Sequence, residues 1–324
     1  MHRQRVRWWA KRASRLPRPV ISIGNLHWGG GGKTPLTAAV ATHLRVRGLG
    51  VAILSRGYGS RGDGVRVVSR GEGPLLGPRL AGDEPVLLAG DLPGVAVVVC
   101  GDRALAGRHA LERLDAPPDV FLLDDGFSHL RLHRDLDVLA FPAADPFAGG
   151  RLPPSGRLRE PLDASRRADA VVLTGGRNAL GDSTGHGLAK ALRAHGFAGP
   201  GFTAPTEAEP ARDLAGQTVA VGTRVFVLSA IARPGPFLQT VRDQGFEIVE
   251  DLALPDHHRY PDGTLRAIEE SFDASGAEIV VTTAKDRVKL QGRFERPLAE
   301  IPIRARPEAE LFHWLDQRLD ALGE

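Results

Sequence analysis

Short apolar runs rich in β-branched residues recur along the first half of the chain, each closed by glycine, proline or a charged pair. They are RPVISIG (18–24), VAILSRG (51–57), VAVVVCG (95–101), DVFLLDDG (119–126), LDVLAFP (136–142) and DAVVLTG (169–175). Segments of helical period lie between several of them, at 36–44, 84–89 and 103–114. Buried strands alternating with helices predict an α/β fold with a mostly parallel sheet covered on both faces, as far as about Thr174. The stretch 143–161, AADPFAGGRLPPSGRLREP, is rich in Pro, Gly and Arg and reads as a long loop, a feature often kept for function. A second alternating block starts near Gln217 and runs through TVAVGTRVFVLSAIARP, GFEIVEDLALPDHHRY and AEIVVTTAKD. The polar stretch APTEAEPARDLAG separates the two blocks. The expected division is a larger domain over 1–210 and a smaller α/β domain over 211–324.

Composition narrows this picture. A chain of 324 residues suits two domains and a substantial core. With 42% hydrophobic and 25% charged residues, it has the balance of a soluble globular protein. Cys100 is the only cysteine, which excludes an internal disulfide, and it reads as a small core residue. The net charge is +3, carried almost wholly by arginine. Lysine occurs only at 11, 33, 190, 285 and 289, so Lys33 and Lys285 stand out. The first 18 residues are basic and include Trp8 and Trp9. They read either as a solvated or loosely packed helix or as a segment meeting an anionic lipid surface. No apolar run reaches the roughly 20 residues that span a bilayer, and no signal-peptide core is present.

Four glycines, Gly29, Gly30, Gly31 and Gly32, stand between the strand PVISIG and the helical segment KTPLTAAVATHL. Pro35 suits a first helical turn, where its missing N–H is harmless. A strand, a glycine-rich loop and a Lys-Thr pair opening a helix form a phosphate cradle: loop amides point at phosphate oxygens, and side chains would obstruct them. Lys33 would reach the β- and γ-phosphates of a nucleotide, and Thr34 would offer its hydroxyl to magnesium. The fold class is therefore P-loop NTPase-like. The match to G-x-x-x-x-G-K-[ST] is imperfect, because His27 takes the first glycine position.

Phosphoryl transfer also needs carboxylates for metal and nucleophile. Asp124 and Asp125 end an apolar strand, where ligands of open α/β sheets bind. Asp83 and Glu84 precede a helix with Pro85 in its first turn, and by themselves they read as capping residues. In LPDHHRY, Asp256 with His257 or His258 forms either a base dyad or an exposed loop. Adjacent histidines point different ways and make a poor metal chelate. TTAKD approaches the guanine-reading N-K-x-D loop, but Asp286 follows Lys285 directly, which weakens a GTPase reading.

The ordered series SIGNLHWGGGGKTP, LSRGYG, GDEPVLLA, GDR, LLDDGFSHLRLHRDLDVL, GRLREP, IARP, LPDHHRY and TTAKDRVKL resembles the tetraacyldisaccharide 4'-kinase family, from about residue 19 to 290. DDGFSHLRLHRDLDV and SRGYG are the specific parts. The resemblance implies ATP, Mg²⁺ and a glycolipid acceptor, the lipid A disaccharide precursor, met at the cytoplasmic face of the bacterial inner membrane. It implies a peripheral protein at a membrane surface, with no nucleic acid and no obligate protein partner. By motif, Lys33 and Thr34 bind ATP phosphates and Mg²⁺, and Asp83 paired with His257 takes the 4'-hydroxyl proton. Glu84, Asp124 and Asp125 fall on the metal side, while Arg103, His129, Arg159 and Glu160 line the cleft.

Two departures from the family pattern are visible. Gly31 stands where the family commonly carries Ser or Thr, and the hydrophobic N-terminal helix of the family is replaced by a short Arg/Trp segment. Two rival readings differ in function class. A P-loop NTPase driving a partner protein would turn over nucleotide without an acceptor. A basic nucleic-acid binder would need a recognition motif, and none is present.

Overall fold

A computed structural model describes residues 12–61 and 63–323. Its strands are β1 (Val20–Gly24), β2 (Val51–Ser55), β3 (Arg66–Ser69), β4 (Val95–Val99), β5 (Val120–Asp124), β6 (Leu136–Pro142), β7 (Ala170–Gly176), β8 (Gly201–Ala208), β9 (Arg212–Asp213), β10 (Arg224–Ser229), β11 (Glu247–Ala253), β12 (Ile279–Thr283), β13 (Leu298–Ile301) and β14 (Ile303–Ala305). Its α-helices are α1 (Lys33–Val46), α2 (Pro78–Ala81), α3 (Asp83–Asp91), α4 (Arg103–Arg113), α5 (Arg177–Leu180), α6 (Gly185–Leu192), α7 (Pro234–Asp243), α8 (Asp262–Ser275), α9 (Ala284–Leu290) and α10 (Ala309–Gly323).

Among the described residues, nine strands build the larger sheet in the order β14-β8-β7-β6-β1-β5-β2-β4-β3. Pairings from β8 through β4 are parallel, and β3 returns antiparallel to β4. Every residue of β1, β2, β4 and β5 is buried, which is why these runs are continuously apolar rather than alternating. One face packs Ala52, Leu54, Val98 and Phe121 against Ala104, Ala106 and Ala110 of α4. A second cluster joins Leu139, Phe141, Val171 and Leu173 to Leu188 and Leu192 of α6. Helix α1 buries Leu36, Val40, Ala41 and Leu44, one stripe at helical spacing.

The smaller sheet has the order β11-β10-β12-β13-β9, with β9 antiparallel to β13 and the other pairings parallel. Phe226, Leu228, Leu265, Ile268 and Phe272 form one of its cores, and Val225, Val227, Phe237 and Val241 the other.

The chain divides into one unit running to Glu207 and resuming at Ala305, and a second, Ala208–Arg304. The expected division is 1–210 and 211–324, whereas the second unit ends at Arg304. The last twenty residues return to the first unit. The reason is the apolar stripe Leu311, Leu315 and Leu319 of α10, which is buried there. Polar and aromatic contacts secure it: Asp316 lies 2.8 Å from His43 Nε2 and 2.9 Å from Arg47 Nη1, and Phe312 stacks on His43 at 4.3 Å.

The basic N-terminal segment expected over 1–18 falls outside the described residues as far as residue 11, Trp8 and Trp9 included. Its remainder is pinned to the sheet. Ser14 N donates to Arg131 O at 2.9 Å, and Leu16 packs on the α4 cluster.

Candidate active site

The loop after β1 leads directly into α1. Gly32 precedes the helix with φ 68°, and no side chain caps its first turn. The N–H groups of that turn therefore lack an intrahelical or side-chain acceptor, the condition for anion binding. Gly29 and Gly30 are exposed, and a Cβ on either would meet nothing within 4 Å. Gly32 is different: its left-handed backbone favours glycine, and a Cβ there would lie 2.8 Å from Thr174 Cβ. Thr174, near the end of β7, sets its hydroxyl 3.0 Å from the Gly31 carbonyl and 3.2 Å from that of Phe141. A Cβ on Gly31 would sit 2.7 Å from Asn25 Nδ2. Asn25 is 1% exposed, and both its side-chain polar atoms lack a partner. His27, which displaces the expected first glycine, is buried, with Nε2 2.6 Å from Pro146 O. Burial, opposed by that backbone contact, lowers its pKa.

The carboxylates gather where β5 ends beside β1. Asp124 is 2% exposed and accepts from Thr37 Oγ1, one turn into α1, at 3.2 Å. Burial first, then the charges of Glu84 and Asp125, push its carboxyl up to about 7. Asp125 adopts φ 55° and faces two cations, Lys33 Nζ at 3.4 Å and Arg159 Nη1 at 2.7 Å. Burial disfavours its charge, but Lys33 and Arg159 prevail and hold it below the usual carboxylate range. Asp83 and Glu84 occupy the first turn of α3, half-buried. Among the described residues no three His, Cys, Asp or Glu side chains form a complete metal cage. Magnesium needs no such cage, since it keeps waters and takes one or two carboxylates plus phosphate oxygens. The all-oxygen set of Thr34, Glu84, Asp124 and Asp125 fits that chemistry, and mutual repulsion around Asp124 favours a cation there.

The long loop earns its length here. Leu158 bridges antiparallel to His27, with Trp28 N to Arg157 O at 2.9 Å and Arg159 N to Leu26 O at 2.6 Å. Arg159 is thereby threaded beside the glycine loop, its guanidinium carbon 4.8 Å from the Trp28 ring centroid. Glu160 points away from it: Ser128 Oγ donates to one carboxylate oxygen at 2.6 Å and Arg167 Nη2 to the other at 2.8 Å. Arg103 is 4% exposed, with Nη1 bound to Gly101 O at 3.0 Å and Nε lacking a partner. Burial and then Arg56 press its pKa down to about 10. His129 Nε2 is also buried without a partner, and burial followed by Arg103's charge lowers its pKa to about 4. Near these groups Arg56, Gly57, Tyr58, Arg66 and Asp102 line a cavity of about 550 Å³.

In the second unit three motifs meet. Asp286, wholly buried in α9, accepts from Ala230 N and from Thr283 Oγ1, each at 2.8 Å, and pairs with Lys289 at 2.6 Å. Thr283 accepts from Asp286 N and caps the helix. TTAKD is therefore a structural clip, which explains its failure to match a guanine-reading loop. His257, with φ 59°, lies with Nε2 3.2 Å from Lys285 Nζ and 4.0 Å from Asp256. His258 packs edge-on against Tyr260, with Nε2 buried.

Each motif anticipated from the sequence is thus placed within its own unit. Four residues went unremarked or unexplained at that level. Thr37 and Thr174 follow from helical spacing and from the rule that sites form at strand ends. Asn25 and the partnership of Lys285 with His257 need three-dimensional proximity.

A glycine-rich loop running into a helix that opens on Lys-Thr, backed by acidic residues at a neighbouring strand end, is the arrangement of the P-loop class. The sequence matches the family model described as "Tetraacyldisaccharide-1-P 4'-kinase" over residues 1–320. It is 44% identical to the tetraacyldisaccharide 4'-kinase of Pelobacter propionicus over 92% of this chain and 80% of that one. It is also 44% identical to that of Anaeromyxobacter sp. (strain K), over 94% and 81%. The structure superposes on LpxK of Aquifex aeolicus, solved in complex with ATP, with a TM-score of 0.77 at 32% identity, covering 98% of this chain and 94% of that one. The chain belongs to the tetraacyldisaccharide 4'-kinase family.

Proposed function

We propose that this chain transfers the γ-phosphoryl group of ATP to the 4'-hydroxyl of the tetraacyldisaccharide 1-phosphate precursor of lipid A. One observation carries the reading: the uncapped start of α1 follows a four-glycine loop, with Lys33 and Arg159 both drawn to Asp125 at its edge. The amides of Gly29 to Thr34 hold the triphosphate. Lys33 and Arg159 are exchangeable cations that follow negative charge, so both can stabilise charge spread over the γ-phosphoryl oxygens. Thr34, Glu84, Asp124 and Asp125 would hold magnesium, which when bound neutralises charge on the β- and γ-phosphates.

Asp83 acts as the base that orients and deprotonates the 4'-hydroxyl, and His257 is a second working residue of the reaction. Arg103 and His129 supply buried donors to an anionic group of the acceptor. At neutral pH His129 does so as a neutral N–H, because its proton affinity is so low. Glu160, held by Ser128 and Arg167, positions the Arg159 segment rather than touching substrate. A lipid acceptor places the work at a membrane surface, which we assign to the cytoplasmic face of the inner membrane with the protein peripheral. Among the described residues no helix is long and apolar enough to cross a membrane.

Incubation with γ-labelled ATP, magnesium and the disaccharide 1-phosphate in mixed micelles should place label in the lipid. Equal release of inorganic phosphate without acceptor would instead mark a hydrolase that drives a partner. Asp83→Ala should lower kcat by roughly 10²-fold or more, the usual scale for a lost general base. An unchanged kcat removes Asp83 from the chemistry.

A further inference from the structure

We propose that Lys285 is a positioning residue that fixes the tautomer of His257, placing the ring proton on Nδ1 and leaving Nε2 as the acceptor. This rests on the reading of His257 as a working residue. A lysine ammonium has only protons to give. Its nitrogen lies 3.2 Å from His257 Nε2, so that ring nitrogen must present its lone pair. The proton then sits on Nδ1, and only the Nδ1 edge can donate to a carboxylate.

The contact is held from both sides by buried structure. His257 N donates to Ala230 O at 3.2 Å, while Ala230 N donates to Asp286 at 2.8 Å. Asp286 follows Lys285 directly and is 0% exposed, so the start of α9 and the histidine loop share one anchor. Lys289, one turn further, donates to His258 O at 3.2 Å and holds the next residue of the same loop. Asp256, 4.0 Å from Nε2, supplies a balancing negative charge. His257 also holds a left-handed backbone, uncommon for a residue other than glycine.

Tautomer selection is the known task of the third member of a catalytic triad, where a carboxylate performs it and the wrong tautomer costs orders of magnitude in rate. Here a cation contacts the other edge of the ring, Nε2, and selects that same tautomer, with the proton on Nδ1. His257 can then orient a base by donation from Nδ1, but Nε2 can take up a proton only if Lys285 yields.

The test is nitrogen-15 NMR of the histidine rings in the full-length protein, with His257→Gln identifying the resonance, alongside kinetics of Lys285→Met and Lys285→Arg. The wild-type ring should carry its proton on Nδ1. Lys285→Met should move it toward Nε2 and lower kcat at least about tenfold with KM for ATP unchanged, and Lys285→Arg should restore both. Unchanged melting and ATP-analogue binding would show that Lys285→Met is folded. A wild-type proton on Nε2, or a tautomer indifferent to Lys285→Met, overturns the inference. A switched tautomer with wild-type kcat overturns it too. Wild-type turnover of His257→Gln would instead sink the reading of His257 itself, and the NMR result still decides whether Lys285 sets the ring.

Discussion

Lys33 shows how much one side chain can be read and how much cannot. Its place after four glycines and at a helix start marks it, from sequence alone, as the residue expected to reach phosphate. What sequence could not supply was Asp125 at 3.4 Å, a contact between residues 92 positions apart. Lys33→Ala should abolish transfer to the lipid while leaving the melting profile close to wild type; near wild-type turnover would remove the residue from the site. His129 gives a second test with a definite sign. Its pKa is about 4 in the folded protein against 6.5 for a free histidine. Between pH 6.5 and 4 the unfolded chain takes up a proton there that the folded chain refuses, so stability falls as pH falls through that window. Above pH 6.5 this term is constant. Replacing His129 with Asn should flatten the decline by about 2–3 kcal/mol, read as unfolding free energy against pH. An unaltered slope means His129 is not held neutral by its surroundings. Residue types announced chemistry here, while proton affinities waited on burial.

The glycine loop and its helix form the element on which the proposed activity depends, and its four glycines are not equivalent. Gly30 has open space around it, so Gly30→Ala should leave stability within about 0.5 kcal/mol and show its effect in ATP affinity. Gly32→Ala meets both a left-handed backbone and Thr174, so it should cost about 1–2 kcal/mol from backbone strain alone. Equal melting of the two variants would contradict this geometry. Gly31 sits over Asn25, whose amide lacks a partner. Gly31→Ser and Gly31→Ala add the same Cβ, but only serine brings a hydroxyl to that amide. The serine variant should therefore be the more stable by about 1 kcal/mol, measured by denaturant unfolding. Strands and helices were legible because buried parallel strands read as unbroken apolar runs. The short antiparallel β3 and the bridge between Leu158 and His27 were not, since pairing partners leave no periodic mark.

At the scale of the whole molecule, alternation of strand and helix revealed two α/β units but assigned the C-terminus to the wrong one. An amphipathic helix states that it will bury a stripe, not against what. Leu315→Ala in α10 should destabilise the first unit by roughly 2–4 kcal/mol, because the side chain is 1% exposed. Asp316→Ala, which removes half-exposed ion pairs with His43 and Arg47, should cost about 1 kcal/mol or less, and less still at high salt. If the two variants melt alike, the apolar stripe is not what returns the chain. The proposed function rests on the cradle between β1 and α1. A crystal of the full chain with a non-hydrolysable ATP analogue and magnesium tests it most directly. The β- and γ-phosphates should lie on the amides of Gly29 to Thr34, with Lys33 turned from Asp125 toward them. Nucleotide bound elsewhere, with Lys33 still on Asp125, would contradict it.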